Sequence, residues 1–283
     1  MLGEPRTAWL ANIRLHPIKG LDAVSVPEAR IGPNGGLRLD RVWVLFTVDG
    51  KWINGKNNPP IHWIRAEYDP QVASVTLTTQ AAANGSGAGP GKCGQPGATP
   101  LKPAKFSFPS ETEPAAEWFS EYFGQRVILR HVQEGVPDDG LASGPTIVST
   151  ASLQAVCNLF PGVELNEARE RFRTTLEIEG VPAFWEDQLF GEDENYAVRF
   201  QIGEVAFEGS NPCARCPVPP RNPRTGEELI GFQKKFSDMR RASMPHTSPR
   251  ERFDHFYRLA TNTRVASTQD GKLLRVGDAL VLS

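Results

Sequence analysis

Proline and glycine recur so densely along this chain, 24 and 26 times in 283 residues, that few stretches run far without one. Clusters such as His16-Pro17, Pro33-Asn34-Gly35-Gly36, Asp49-Gly50, Pro161-Gly162 and Asp270-Gly271 punctuate the sequence from end to end. Proline removes a backbone donor and fixes φ, while glycine opens the positive-φ conformations that tight turns need. What lies between such turns is short, which predicts many brief strands and few helices: a mainly β chain of α+β class.

The segments agree with that expectation. Strands are predicted at Ala8 to Leu15, Val24 to Ile31 with Pro27 marking an edge, Val72 to Thr79, Gln125 to His131 and Thr175 to Glu179. Val42 to Val48, Asp49-Gly50 and Lys51 to Ile53 read as a hairpin. Two more strands, Tyr196 to Ile202 and Glu204 to Glu208, precede a cysteine loop, and Leu259 to Ala266, Lys272 to Arg275 and Ala279 to Leu282 close the chain. Helices are predicted from Ser110, with Glu113 completing a capping box, to Phe123, and from a Ser149 or Thr150 cap through Leu153, Val156, Cys157 and Phe160. Asn166 to Phe172 reads as a short charged helix, and the basic run Lys234 to Arg241 as a solvated face. Residues 81 to 100, small and nearly without apolar bulk, read as a flexible insertion that carries Cys93.

Composition narrows the function classes. With 31 basic and 33 acidic residues the net charge is −2, which offers no global field for nucleic acid or an anionic membrane. The N-terminus lacks an apolar core, and no window approaches the roughly eighteen apolar residues of a membrane span. The chain reads as soluble. Four cysteines in so long a chain do not make a disulfide scaffold, and thiols kept reduced suit the cytoplasm.

Chemistry concentrates in Asn211-Pro212-Cys213-Ala214-Arg215-Cys216-Pro217-Val218-Pro219-Pro220. Thiolates are nucleophiles and soft metal ligands, and a neighbouring guanidinium such as Arg215 favours the ionised form of Cys216. The following prolines argue against a helix opening at the pair, and so against a thioredoxin-like site. A zinc centre would want a second Cys or His pair at short spacing, and Cys93, Cys157 and the histidines at 16, 62, 131, 246 and 255 are scattered. The residues themselves leave open whether Cys213 or Cys216 would meet a metal. Lys19-Gly20 forms a turn in which backbone and a point charge can approach an anion.

Taken in order, His16-Pro17-Ile18-Lys19-Gly20, Gly36-Leu37 through Asp40-Arg41-Val42-Trp43, Arg171-Phe172-Arg173, Trp185-Glu186-Asp187, Asn211 to Cys216 and Val276-Gly277-Asp278 resemble the MOSC family, named for the C-terminal domain of molybdenum cofactor sulfurase. The amidoxime-reducing proteins are one of its branches. The resemblance covers nearly the whole chain and implies a MOSC N-terminal β-barrel region at 1–130 and a MOSC domain at 131–283. It also implies a molybdenum–molybdopterin cofactor with Cys216 as metal ligand and catalytic thiolate. Lys19, Arg41, Arg173 and Arg215 match the basic cofactor contacts, and Ser143-Gly144 matches a loop that approaches the cofactor.

The chain departs from the branch at several points. Thr174-Thr175 replaces Pro-Asn after Arg173, so the hydroxyl of Thr175 stands for an asparagine contact. Gly20 replaces a serine. Asn262-Thr263-Arg264 occupies the neighbourhood of a tyrosine, which leaves Asn262 as the local cofactor contact. No iron–sulfur domain follows and no membrane anchor precedes, so a separate electron-transfer protein is the expected donor. The resemblance implies a reductase of small N-oxygenated compounds; the alternative is a carrier of molybdenum cofactor or of sulfur on Cys216, without turnover.

Overall fold

The structure, a computed structural model, describes residues 8–80, 100–137 and 142–283. The proposed insertion, apart from Pro100, lies outside the described residues together with Cys93 and the loop residues Asp138 to Gly140. Fifteen strands and four α-helices follow among those described: β1 (Ala8–Leu15), β2 (Val24–Val26), β3 (Glu28–Arg30), β4 (Trp43–Thr47), β5 (Ile64–Tyr68), β6 (Ser74–Thr79), β7 (Ala104–Ser107), α1 (Thr112–Phe123), β8 (Val127–His131), β9 (Ile147–Ser149), α2 (Thr150–Leu159), α3 (Leu165–Phe172), β10 (Leu176–Glu179), β11 (Val198–Ile202), β12 (Val205–Ala214), α4 (Phe232–Ala242), β13 (Arg258–Arg264), β14 (Leu273–Arg275) and β15 (Ala279–Leu282). The fold is mainly β, with the brevity of strand that the turn formers predict.

Seven strands close a barrel in the order β10-β9-β13-β12-β11-β15-β1, with β1 returning to β10. Closure removes the exposed edges that an open sheet would present. The first strand of the chain therefore completes a barrel built otherwise from its second half. A bulge between Leu10 and Asn12 shifts the phase of β1, so that Ala8 and Leu10 point inward before it and Ile13 and Leu15 after it. Phe200 and Phe207 face each other across β11 and β12 and stack inside with ring centroids 5.3 Å apart. β9 and β10 run parallel, which requires a crossover, and α2 and α3 supply it. β9 is thus buried on both faces: Ile147 enters the barrel and Val148 the helical layer of α2, α3 and α4.

A second body holds its own core. β4 pairs with β8, β5, β6 and β7 form a three-stranded sheet, and α1 lays Ala115, Trp118, Phe119 and Tyr122 against both. The expected hairpin is partial here, because β4 finds its full partner in β8 and meets Trp52 at one bridge only. The capping box is absent: Glu111, not Ser110, precedes α1, and no side chain caps it. Ser149 does cap α2, its hydroxyl accepting from the Ser152 N–H at 3.1 Å. The strand predicted over Val24 to Ile31 divides at Pro27, whose missing donor separates β2 from β3. No helix among the described residues is long and apolar enough to cross a membrane.

Candidate functional site

The turn after β1 carries the chain from one core to the other. Leu15 packs in the barrel, and Ile18, three residues later, is fully buried in the second body. Lys19 and Gly20 sit at that seam. The Lys19 N–H donates to the Trp43 carbonyl at 2.8 Å, and its ammonium reaches the Val136 carbonyl at 3.1 Å and lies 5.0 Å from the centroid of the Trp52 ring. Gly20 has φ +97°, and a Cβ there would stand 2.9 Å from Ile61 Cδ1. A glycine in the place of the branch's serine is what this backbone accepts.

Two arginines on the seam are held in left-handed backbone, Arg41 at φ 54° and Arg173 at φ 52°. A non-glycine residue there costs on the order of 1 kcal/mol or more and needs surroundings that enforce it. For Arg41, the N–H donates to the His16 carbonyl at 2.9 Å while the guanidinium meets the Asp40 carboxylate and the Arg173 carbonyl. Arg173 ends α3, donates its N–H to the Arg169 carbonyl, and reaches the Leu21 carbonyl at 2.6 Å. Burial works to raise the Asp40 pKa, but the charge of Arg41 and the hydrogen bond with His16 outweigh it and hold the carboxyl below its usual range. His16, only 1% exposed, is pushed down to about 3 by burial and by the charge of Arg173. It is neutral at physiological pH.

β12 runs six residues beyond its predicted end and delivers both cysteines. Past Gly209 it pairs with β13 alone, so Pro212 sits where no second ladder needs its N–H. The Arg215 N–H donates to the Tyr257 carbonyl at 3.0 Å. Its guanidinium donates to Cys213 Sγ at 3.0 Å and to the Phe172 carbonyl. The expectation that Arg215 would attend Cys216 is thereby corrected: strand geometry puts side chains 213 and 215 on one side. Cys216 lies beyond the strand, half-buried, on the cleft wall.

A cleft of about 390 Å³ lies between the bodies. Of the ten residues singled out from sequence, Lys19, Gly20, Arg41, Arg173, Arg215 and Cys216 line it. Ser143, Gly144, Thr175 and Asn262 do not. Ser143 donates to the Asn34 carbonyl, and Gly144 packs so closely on β13 that a Cβ would stand 2.5 Å from Thr263 Oγ1. Thr175 is 2% exposed with its N–H on Thr146 Oγ1, and Asn262 is buried in β13 opposite Asn211. Thr146, one bond away, reaches the cleft instead of Thr175.

The cleft is far more cationic than those residues foretold. Arg14, Lys56, Arg65, Arg171 and Arg221 join the four expected cations, against the carboxylates of Asp22 and Glu170. Asp22 pairs with Arg65 at 3.0 Å. Buried nitrogens on the lining without a hydrogen-bond partner include Arg14 Nε, His62 Nε2 and Arg215 Nε. Unpaired buried polar atoms are costly and mark places where a bound group completes the bonding. A dithiolene cofactor with an anionic phosphate fits this wall chemically, since cations surround the space and the thiols of Cys213 and Cys216 line it. Among the described residues, no group of three or more His, Cys, Asp or Glu side chains is arranged to hold a metal ion. Arg14, His62 and Arg221 escaped sequence reading because each is an isolated polar residue in an unremarkable segment, while His16 was noticed only as part of the motif that leads to Lys19.

Fold and cleft together define a β-barrel protein with a cationic cleft that presents a cysteine pair at the seam of two bodies. Residues 7–126 match the MOSC N-terminal beta barrel domain and residues 140–281 the MOSC domain. The chain belongs to the MOSC family, whose domains are known from molybdenum-cofactor-binding proteins. Among solved structures it resembles the YUAD protein from Bacillus subtilis at 8% identity and a TM-score of 0.36, over 97% of this chain and 94% of that one. No curated protein matches it.

Proposed function

We propose that this protein is a molybdenum-cofactor-dependent oxidoreductase that reduces small N-oxygenated compounds with electrons from a separate redox protein. The observation that carries the reading is the convergence of Lys19, Arg41, Arg173, Arg215 and Cys216, drawn from four distant stretches of chain, on one cleft. When bound, the cofactor supplies a metal centre that cycles by two electrons and accepts the oxygen leaving the substrate. The chain's part is to hold and orient. Cys216 would hold the metal through Sγ as a thiolate, and the four cations would neutralise the phosphate. The left-handed backbones of Arg41 and Arg173 fix the guanidinium stems from which those charges are aimed. Trp52, 39% exposed at the mouth, offers a ring face to the arriving substrate.

The half-burial of both Cys213 and Cys216 favours a second reading, a carrier that hands on cofactor or sulfur. One experiment separates the two. Protein made in a host that synthesises the cofactor is assayed for molybdenum and zinc beside Cys216→Ala, then supplied with benzamidoxime and a reduced one-electron dye. Near-stoichiometric molybdenum that is lost in the variant, with turnover, is the expected result. Molybdenum without turnover supports the carrier, and its absence from both proteins overturns the cofactor reading.

A further inference from the structure

The cleft wall beside the cysteine loop holds three polar side chains outside the cofactor contacts named above. Lys56 and Gly55 lie in the turn before a 3-10 helix, Pro59–Trp63, that carries His62. Arg221 closes the proline-rich loop that follows Cys216. All three meet at Gly55: the Arg221 guanidinium donates to its carbonyl. A Cβ on Gly55 would stand 2.9 Å from His62 Nε2 and 3.6 Å from Val218 Cγ1. Only a residue without a side chain leaves this space open.

We propose that His62, Arg221 and Lys56 form a subsite for a carboxylate carried by the substrate. The inference rests on the reductase reading and names the substrate class within it, small N-oxygenated compounds bearing an acid group. His62 is 9% exposed and lines the cleft with Nε2 lacking any partner. Burial first, then the charges of Arg221 and Arg173, push its pKa down to about 4 against a hydrogen bond with the Gly55 backbone, so the ring is neutral and stands as a polar wall beside the two cations. Neither Arg221 nor Lys56 is paired with a carboxylate among the described residues. A guanidinium with one N–H fixed on a backbone carbonyl still presents donors in the planar geometry that matches a carboxylate. The basic contacts matched to the cofactor phosphate, Lys19, Arg41, Arg173 and Arg215, belong to other segments of the lining.

The test uses cofactor-loaded protein and two probes, benzamidoxime and 4-carboxybenzamidoxime, with binding read by calorimetry and the His62 ring followed by NMR. The acid is expected to bind about tenfold or more tightly than its neutral parent. Its binding alone should shift the His62 ring signals. Lys56→Ala, at an exposed position, and Arg221→Lys should each shrink the ratio, and the double variant should bring it close to one. Equal affinities in the wild type, or a ratio unchanged in the double variant, would overturn the proposal. So would a preference confined to cofactor-free protein, because the subsite would then belong to the cofactor's own phosphate. The binding ratio is read whether or not either probe is reduced, so failure of the subsite and failure of the reductase reading are distinct results.

Discussion

Glu186→Gln should stabilise this protein above neutral pH and leave it unchanged in acid. Glu186 is 1% exposed, behind the barrel wall and away from the cleft. Ser152 donates to its Oε2 at 2.9 Å, while Oε1 has no partner. Burial, followed by the adjacent charge of Asp187, raises its pKa from 4.5 to about 7. The native state therefore keeps a proton between those values that the unfolded chain has released. Stability declines as pH rises through that window and is level on either side of it. The displacement corresponds to roughly 3 kcal/mol, fully expressed only above about pH 7. Glutamine mimics the protonated side chain and can still accept from Ser152. Urea denaturation of both proteins at pH 4.5, 6, 7 and 8 is the assay. Curves that coincide at the lowest pH and diverge by up to about 3 kcal/mol at the highest are expected. Parallel pH profiles would refute the argument, and a variant less stable at every pH would show that the carboxylate is bound better than its surroundings indicate.

Arg240→Ala should destabilise the fold by about 3–5 kcal/mol, because it strands the buried Asp187 carboxylate that Arg240 and Ser248 now satisfy; thermal or chemical denaturation measures it. Gly20→Ser should cost about 1–3 kcal/mol, since φ +97° and the Ile61 contact both oppose a side chain. Replacing Ile61 as well should recover only the steric share in the same melt. Arg173→Gly should keep or slightly raise the melting temperature, by relieving left-handed backbone, while molybdenum retained through purification falls.

Trp185-Glu186-Asp187, one of the motifs of the family resemblance, serves the site indirectly. Its acids do not approach the cleft. Asp187 anchors α4 through Arg240, and the Glu186 carbonyl accepts from Thr261 Oγ1 at 2.6 Å, where β13 pairs with Pro212 of the cysteine strand. The motif acts on the site by holding the strand that delivers Cys213. The basic run Lys234 to Arg241 reads as a solvated face, yet its Arg240 is 1% exposed and stacks over Phe184. The signal was present: Phe232, Phe236 and Arg240 fall at i, i+4 and i+8, on one helical stripe. Likewise Ile64, Ala66 and Tyr68 alternate as β5, a period that turn-rich flanks concealed. The cysteine loop was legible because its chemistry is local in sequence. The cationic lining was only half legible, because Arg14, Arg65, His62 and Arg221 acquire meaning from three-dimensional convergence alone.

That convergence follows from one topological fact. β1 belongs to the barrel of the second half, while Ile18, immediately after it, belongs to the core of the first. The chain must therefore cross the seam at His16 to Gly20, and the residues there face both bodies. Arg41 is bound back to His16 by its own N–H, and Arg173 to Arg41 through its carbonyl, so the cations on the seam are held to one another by backbone rather than by carboxylates alone. Moving either body relative to the other would break these bonds and leave left-handed backbone without what enforces it. The cationic wall of the cleft is thus carried by residues whose backbones are tied together across the seam.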